Sequence, residues 1–163
     1  MMEKLQNITV RKPEVFKRNY QFLDAEKIIG ELKYPKTYGR SAIASFGDAS
    51  WQLSRRGVWK PLFEYKSNQS PYEKAEFSSN WKYHLKDALI NKHSYCFKKT
   101  SLWKNQWSWF DGQDRTIMSF SSNTLSRKTR GSITILPPFD NDRKVLLALG
   151  WFIIVTQEDH SAS

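Results

Sequence analysis

The sequence predicts a mainly β protein, an antiparallel barrel of about twelve strands wrapped around a buried hydrophobic C-terminal helix. Polar and apolar residues alternate through most of the first 136 residues, and turn-forming residues interrupt them at short intervals. Aromatic residues make up 15% of the chain, a bias that favours strands. An uninterrupted apolar run, Val145 to Val155, then follows the last alternating segment. We treat residues 1–163 as a single domain.

The strands are placed between successive turn signals such as Asp24-Ala25-Glu26. They are predicted at residues 20–24, 27–34, 41–46, 51–53, 58–65, 72–77, 95–100, 102–110, 115–121 and 131–136. The segment 81–90 fits a strand or a helix, and both stay open. Pro137-Pro138 ends the last strand, because proline cannot donate to the ladder.

The helix is predicted at residues 142–157, capped by Asp140 or Asn141 and followed by a flexible tail at 158–163. Its apolar run covers every face, and a helix that is hydrophobic all round must be buried all round. A closed sheet of about twelve strands has room for it. Gly150 should lie where wall and helix approach closely, because glycine otherwise costs about 1 kcal/mol in a helix.

Three of the seven tryptophans lie close together, within SLWKNQWSWF. By alternation, Trp103, Trp107 and Trp109 share one strand face. They are either part of the barrel interior or an exposed carbohydrate-binding platform, in which case Trp107 and Trp109 are near-coplanar and solvent-exposed. We favour the interior, because an all-apolar helix needs large inward side chains around it.

The formal charge of +10 indicates an anionic partner, with a merely solvated basic surface as the alternative. Basic residues cluster in three groups at or beside predicted turns, and each group is therefore expected to be exposed. The candidate ligand-binding residues are Arg55, Arg56, Lys60, Lys98, Lys99, Lys104, Arg127, Lys128 and Arg130. If these turns meet at one end of the barrel, they form a positive patch suited to anionic lipid headgroups or to a phosphate backbone.

No catalytic, metal or cofactor site is predicted. The histidines are His84, His93 and His160. His84 and His93 could approach one another, yet no carboxylate pair or cysteine spacing accompanies them. Asp111 and Asp114 are explained by a turn around the glycine between them. The lone cysteine, Cys96, excludes an internal disulfide and is expected to behave as a small hydrophobe.

The location expected from the sequence is the cytoplasm, with a peripheral position at the membrane surface. The N-terminal residues contain no apolar stretch typical of a secretory signal. The run from Val145 to Val155 spans roughly 16 Å as a helix, well short of the ~30 Å hydrocarbon core of a bilayer. We therefore expect no transmembrane span.

The hairpin FLDAEKIIG, residues 22–30, resembles the opening hairpin of the tubby C-terminal-like superfamily, which includes phospholipid scramblases and the LURP-one-related proteins. The same form recurs at residues 107–113, and Val145 to Val155 stands where that family has its central helix. The similarity covers roughly residues 8–157. It implies a twelve-stranded barrel around a hydrophobic C-terminal helix.

The resemblance also bears on function. Tubby proteins bind phosphoinositides through basic residues on the barrel wall, but their Lys/Arg motif has no match here. Asp140-Asn141-Asp142 only faintly resembles the calcium segment of scramblases and better fits a helix cap. The cysteine-rich and proline-rich segments of scramblases are absent, so scramblase activity is not expected. We predict a non-catalytic domain that binds anionic membrane lipid; the alternatives are a nucleic-acid-binding or a protein-interaction barrel.

Overall fold

The computed structural model describes residues 4–14, 16–36, 40–56, 62–68, 74–80, 84–90, 93–101, 104–123 and 129–162. For residues 56, 62, 74–80, 84–89 and 160–162 it describes the backbone alone. The strands are β1 (Gln6–Arg11), β2 (Asn19–Asp24), β3 (Lys27–Lys33), β4 (Ser41–Phe46), β5 (Ala49–Arg56), β6 (Leu62–Ser67), β7 (Lys74–Asn80), β8 (His84–Ile90), β9 (His93–Ser101), β10 (Gln106–Phe110), β11 (Thr116–Ser122) and β12 (Thr129–Ile135). One helix follows, α1 (Asn141–Ala162).

The strands form a closed barrel in which every pair of neighbours is antiparallel. Closure comes from β1, where Ile8 lies opposite both Asp24 of β2 and Ile133 of β12. The connections that leave odd-numbered strands therefore share one end of the barrel with the C-terminus of α1; we call this the basic end. Connections that leave even-numbered strands share the other end with the N-terminus of α1, the capped end. The predicted mainly β architecture with a C-terminal helix is confirmed.

Helix α1 lies inside the barrel. Residues 145–156 are all buried, so no face of this segment reaches solvent, as its apolar sequence requires. Large rings from the wall surround it, among them Phe63, whose ring lies 6.1 Å from that of Phe152, edge to face. Trp107 and Trp109 are 3% and 0% exposed, which confirms the interior placement and excludes a carbohydrate platform formed by these two rings. Trp103 lies outside the described residues.

Gly150 lies at the closest approach of helix and wall, as predicted. A Cβ added there would be 2.5 Å from Cζ of Phe120 and 2.8 Å from Nε1 of Trp109. Such distances are shorter than van der Waals contact, so any side chain would force these rings to move. The conformational cost of glycine in a helix is therefore offset by close packing.

Two strands of the sheet, β1 and β8, were not assigned from the sequence. Strand β1 was missed, although the inward residues Ile8 and Val10 alternate with outward ones. The ambiguous segment 81–90 is a strand, β8. The extra strand β1 is the one that closes the barrel.

The helix boundaries were also predicted wrongly, because α1 extends through Ala162 and not only to residue 157. The predicted flexible tail at 158–163 is therefore helical through Ala162. Glu158 and Asp159 hold these last turns against the barrel: Ser122 and Asn105 bond to Glu158, and Arg18 pairs with Asp159. Asp140 caps the other terminus, accepting a hydrogen bond from the backbone N–H of Arg143 at 3.0 Å, as expected.

Candidate anion-binding surface at the basic end

Basic residues dominate the end of the barrel where α1 terminates. The described cations at or beside the connections of this end are Arg11, Lys12, Lys17, Arg18, Lys33, Lys36, Arg40, Arg55, Arg56, Lys99, Lys104 and Arg130. The described acids there are Glu14, Glu31, Glu64, Glu158 and Asp159, and Glu31 pairs with Lys33 at 3.3 Å. At the capped end, by contrast, acidic and basic side chains are mixed. The charge of the protein is therefore polarised along the barrel axis.

Three of these cations approach one another beside β12. Burial and the nearby charges of Arg130 and Arg18 lower the pKa of Lys12. Glu158 lies among the same groups; burial raises its pKa, which hydrogen bonds from Ser122 and the charge of Arg130 partly oppose. Cations from two separate connections are thus held close enough to repel one another.

Arg40 and Arg55 form a second pair of neighbouring cations at the basic end. Burial and the charge of Arg40 lower the pKa of Arg55, and the backbone N–H of Arg55 donates to the carbonyl oxygen of Arg40 at 2.9 Å. Asp159, on the last turns of α1, partly offsets this repulsion. We refer to Lys12, Arg18, Arg40, Arg55 and Arg130 as the basic-end cluster.

Arg18 is the best anchored member of the cluster. Its Nη1 pairs with Oδ2 of Asp159, and its guanidinium lies 5.7 Å from the ring centroid of Tyr34. Tyr34 in turn stacks on Phe152 of α1, with centroids 5.8 Å apart. This series of contacts connects the surface cation to the buried helix.

The orientation of α1 favours cations at this end. A helix macrodipole places about half a negative charge at the C-terminus, which favours nearby cations. The 22-residue helix ends at Ala162, within the ring of connections that carries the cluster. The basic residues therefore surround the negative terminus of a long helix.

The sequence-predicted site residues fall into three sets. Arg55 and Arg130 belong to the basic-end cluster, and Lys104 is exposed in the β9–β10 turn of the same end. Arg56 ends β5 at this end and is described by its backbone alone. The remaining predicted residues, Lys60, Arg127 and Lys128, lie outside the described part of the chain.

Lys98 and Lys99 were predicted beside a turn, at the end of a strand over residues 95–100, and they lie within β9, which continues through Ser101. Lys98 lies opposite Ser108 on the wall, with Nζ 5.5 Å from the ring centroid of Phe110. Lys99 lies nearer the basic end, with Nζ 5.7 Å from the ring centroid of Trp107. Both are half-buried, as are Arg55 and Arg130, so the expected exposure is wrong for these four residues.

Sequence reasoning missed Lys12, Arg18 and Arg40. The first two lie in the β1–β2 connection, which could not be recognised as a turn while β1 itself was missed. The basic run around Pro13, RKPEVFKR, was the available signal. Arg40 precedes β4 and is separated in sequence from the three predicted groups of basic residues.

Phe16 is the exposed aromatic residue among the side chains that the structure describes, with 93% of its surface accessible. It lies in the β1–β2 connection, between the cations Lys12 and Lys17. The ring therefore projects from the basic end. Every other aromatic side chain that the structure describes is buried or half-buried.

The histidines and acidic groups form no second centre in the described part of the chain. His84 pairs with Lys98 and His93 with Ile90, so the two histidines lie at opposite ends of the β8–β9 hairpin. Their suggested proximity is therefore wrong. Asp111 accepts hydrogen bonds from the backbone N–H groups of Gln113 and Arg115, as a turn residue does. No group of three metal-ligating side chains occurs among the described residues.

The architecture defines a class of β protein in which a closed antiparallel barrel surrounds a buried C-terminal helix. A solved member with a similar fold is the X-ray structure of a protein from Arabidopsis thaliana, AT5G01750. The two superpose with a TM-score of 0.57 at 10% sequence identity, over 97% of this chain and 93% of that chain. At this identity the likeness concerns the fold alone.

Sequence comparison adds no relationship: no family model matches the chain, and no curated protein matches it. Among the described residues, no helix has both the length and the hydropathy needed to cross a bilayer.

Proposed function

We propose that the protein is a non-catalytic, tubby-like binding domain whose basic end docks onto anionic lipid headgroups at a membrane surface. The observation that carries the proposal is the crowding of Lys12, Arg18, Arg40, Arg55 and Arg130 around the C-terminus of α1. Arg18 is paired with Asp159, and Arg130 also has a contact within the protein. Mutual repulsion among the cations is relieved when an anionic surface approaches.

Electrostatics makes a bilayer a suitable partner for this end. Each cation near an anionic leaflet contributes about 1 kcal/mol, and the contribution falls within a Debye length of the surface. The cluster and the exposed cations Lys17 and Lys104 belong to connections that share one end of the barrel, so several charges can engage one surface together. The mixed charge of the capped end provides no comparable attraction.

Phe16 supports a lipid partner over a nucleic acid. An exposed aromatic ring flanked by cations suits the boundary between headgroups and acyl chains, where apolar area is buried while the charges stay in water. A single-stranded nucleic acid requires several exposed rings on which successive bases stack. Among the described side chains, Phe16 alone could offer such a ring.

The tubby-like assignment rests on the sequence resemblance and is supported by the barrel-and-helix fold. Tubby proteins bind phosphoinositides, and their ligand class agrees with the cluster proposed here. Phosphoinositides carry the most highly charged headgroups among membrane lipids, so they suit the basic-end cluster. The binding residues differ, because the tubby Lys/Arg motif has no counterpart in this chain.

Co-sedimentation with vesicles tests the proposal. Vesicles of phosphatidylcholine with phosphatidylserine or a phosphoinositide should retain the protein, neutral phosphatidylcholine vesicles should not, and added salt should release it. The double variant Arg40→Gln/Arg55→Gln should bind about 30-fold more weakly, which corresponds to about 2 kcal/mol. Lys27→Gln, an exposed cation beside the β2–β3 turn of the capped end, is the matched control and should bind as the wild type does.

The alternatives predict different results. Retention of single-stranded RNA or DNA, with no retention on anionic vesicles, would replace the lipid proposal by a nucleic-acid function. No binding to either at moderate salt would leave a protein-interaction scaffold. Equal vesicle binding by the double variant and the Lys27→Gln control would show that the basic end is not the docking surface.

A further inference from the structure

A cavity of about 330 Å³ lies at the capped end, on the far side of the molecule from the basic end. It is formed by the start of β9, the β10–β11 turn and the first turn of α1. Its polar lining includes His93, Tyr95, Asp111, Gln113, Arg115 and Arg143. We propose that this cavity binds a small molecule through a carboxylate or phosphate group, with Arg143 as the principal ligand-binding side chain.

Arg143 carries the inference because its largely buried side chain lines the cavity and has no ion-pair partner among the described residues. The residue is 8% exposed, and its Nε donates to the carbonyl oxygen of Leu136 at 3.1 Å. Within the described part of the chain, its guanidinium makes no other hydrogen bond and no ion pair. An arginine stays charged at any physiological pH, and a buried charge is costly unless it is paired.

The neighbouring carboxylates have other partners. Asp111 accepts the backbone N–H groups of Gln113 and Arg115, each at 2.9 Å, and pairs with Nε of Arg115 at 3.1 Å. Asp142 accepts the hydroxyl of Tyr95 at 2.9 Å. Neither carboxylate neutralises the guanidinium of Arg143 directly. Asp140 accepts the backbone N–H of Arg143 as the helix cap and forms no ion pair with its guanidinium. An external anion could therefore pair with the terminal nitrogens.

The ligand class follows from the geometry of the guanidinium. With Nε bonded to the Leu136 carbonyl, the two terminal nitrogens remain as a planar fork, which matches the two oxygens of a carboxylate or phosphate. The N-terminus of α1 adds a positive field at the same place. A cavity of this size is at the lower limit of those that hold small molecules.

Amide chemical shifts of the whole protein, measured by NMR, test the site. Sodium phosphate and sodium acetate are titrated separately at constant ionic strength, with sodium chloride as the reference. We expect saturable shifts at residues 111–115 and at Arg143. Arg143→Gln should weaken phosphate binding at least tenfold, whereas Lys104→Gln, an exposed cation at the basic end, should leave it unchanged.

Two further arms make the result decisive. If Arg143→Gln fails to fold, Arg115→Gln replaces it, because that side chain is 63% exposed; a several-fold weaker phosphate affinity is then expected. Unsaturable shifts, shifts confined to the basic end, or unchanged affinity in the variants would overturn the proposal. Loss of binding to phosphoinositide vesicles on substitution of Arg143 would assign the cavity to a lipid headgroup and would also overturn it. The proposed membrane function is tested separately, by the vesicle binding of the Arg40→Gln/Arg55→Gln variant.

Discussion

The indole nitrogen of Trp109 donates a hydrogen bond to the main-chain carbonyl oxygen of Leu146, at 2.9 Å. One residue belongs to β10 and the other to α1, so this bond connects the barrel wall to the enclosed helix. Gly150, one turn further along α1, leaves the space that the ring occupies. The contact therefore combines a polar bond with close packing, and it fixes the rotation of the helix within the barrel.

We expect Trp109→Phe to lower the free energy of unfolding by about 1 to 2 kcal/mol, from the lost hydrogen bond and the smaller ring. Trp109→Ala, which also leaves a large cavity, should cost about 3 to 5 kcal/mol. Urea denaturation followed by far-ultraviolet circular dichroism measures both. Wild-type stability of Trp109→Phe would show that the bond to Leu146 contributes nothing to folding.

Gly150→Ala should destabilise the protein by about 1 to 3 kcal/mol, because the added Cβ would lie 2.5 Å from Cζ of Phe120. Gly150→Leu should prevent folding to the native barrel. Gly112→Ala is the matched control: its nearest neighbour, the carbonyl oxygen of Ser94, would be 3.8 Å away, so its stability should change by less than about 0.5 kcal/mol. Thermal melting compares the three variants with wild type, and equal tolerance at both positions would contradict the enclosed-helix packing.

The fold could be predicted largely because its signals are local. Alternation reveals a strand within six or seven residues, and the run from Val145 to Val155 shows that something must enclose it. Barrel closure could not be read in this way, because it pairs Gln6 with Ile135 at the far end of the chain. The length of the helix was also hidden, since its last turns are held by tertiary bonds to Glu158 and not by an apolar pattern.

The candidate site was less predictable, and for a topological reason. Which end a turn occupies depends on the number of strands that precede it, so the open assignment of residues 81–90 left the convergence of the basic turns undecided. With β8 a strand, the β5–β6 and β9–β10 connections share one end. The mutual repulsion of Arg40 and Arg55 likewise arises from strand pairing and has no signature in the sequence.

The pH dependence of stability should report the burial of Glu158. Burial raises its pKa above the ordinary 4.5, so the protonated form is favoured in the folded state. This stabilisation is complete below pH 4.5 and is lost as the pH rises through the higher folded-state pKa. Glu158→Gln, which stays uncharged, should therefore be more stable than wild type at neutral pH. The difference should disappear as the pH falls below 4.5, in urea denaturation at a series of pH values.

Asp111→Asn is a control whose stability should change with pH in the opposite direction. The backbone N–H of Arg115 is the main cause of the lowered pKa of Asp111, so the ionised form is favoured in the folded state. The ionised Asp111 carboxylate stabilises the folded state above its ordinary pKa of 3.8. This stabilisation is lost as the pH falls through the lower pKa of the folded state. Parallel pH profiles for the two variants, relative to wild type, would be incompatible with these opposite shifts.

Phe16→Ala tests whether the basic end inserts an apolar group into the bilayer. The ring is 93% exposed in water, so its removal should leave the stability of the fold within about 0.5 kcal/mol of wild type. Burial of the ring at the headgroup boundary would contribute about 1.5 kcal/mol, so binding to anionic vesicles should weaken roughly tenfold. As salt is raised within the range where wild-type binding is still measurable, this loss should keep its size. The loss in the Arg40→Gln/Arg55→Gln variant should shrink, because salt screens charge and not apolar burial.

Leu5→Ala is the matched control for Phe16→Ala, since Leu5 is 48% exposed and precedes β1 at the capped end. Its replacement should leave vesicle binding unchanged. Equal binding of the Phe16→Ala variant and wild type would restrict the basic end to electrostatic contact. A loss with Leu5→Ala comparable to that with Phe16→Ala would place the membrane at the capped end and so contradict the proposed orientation.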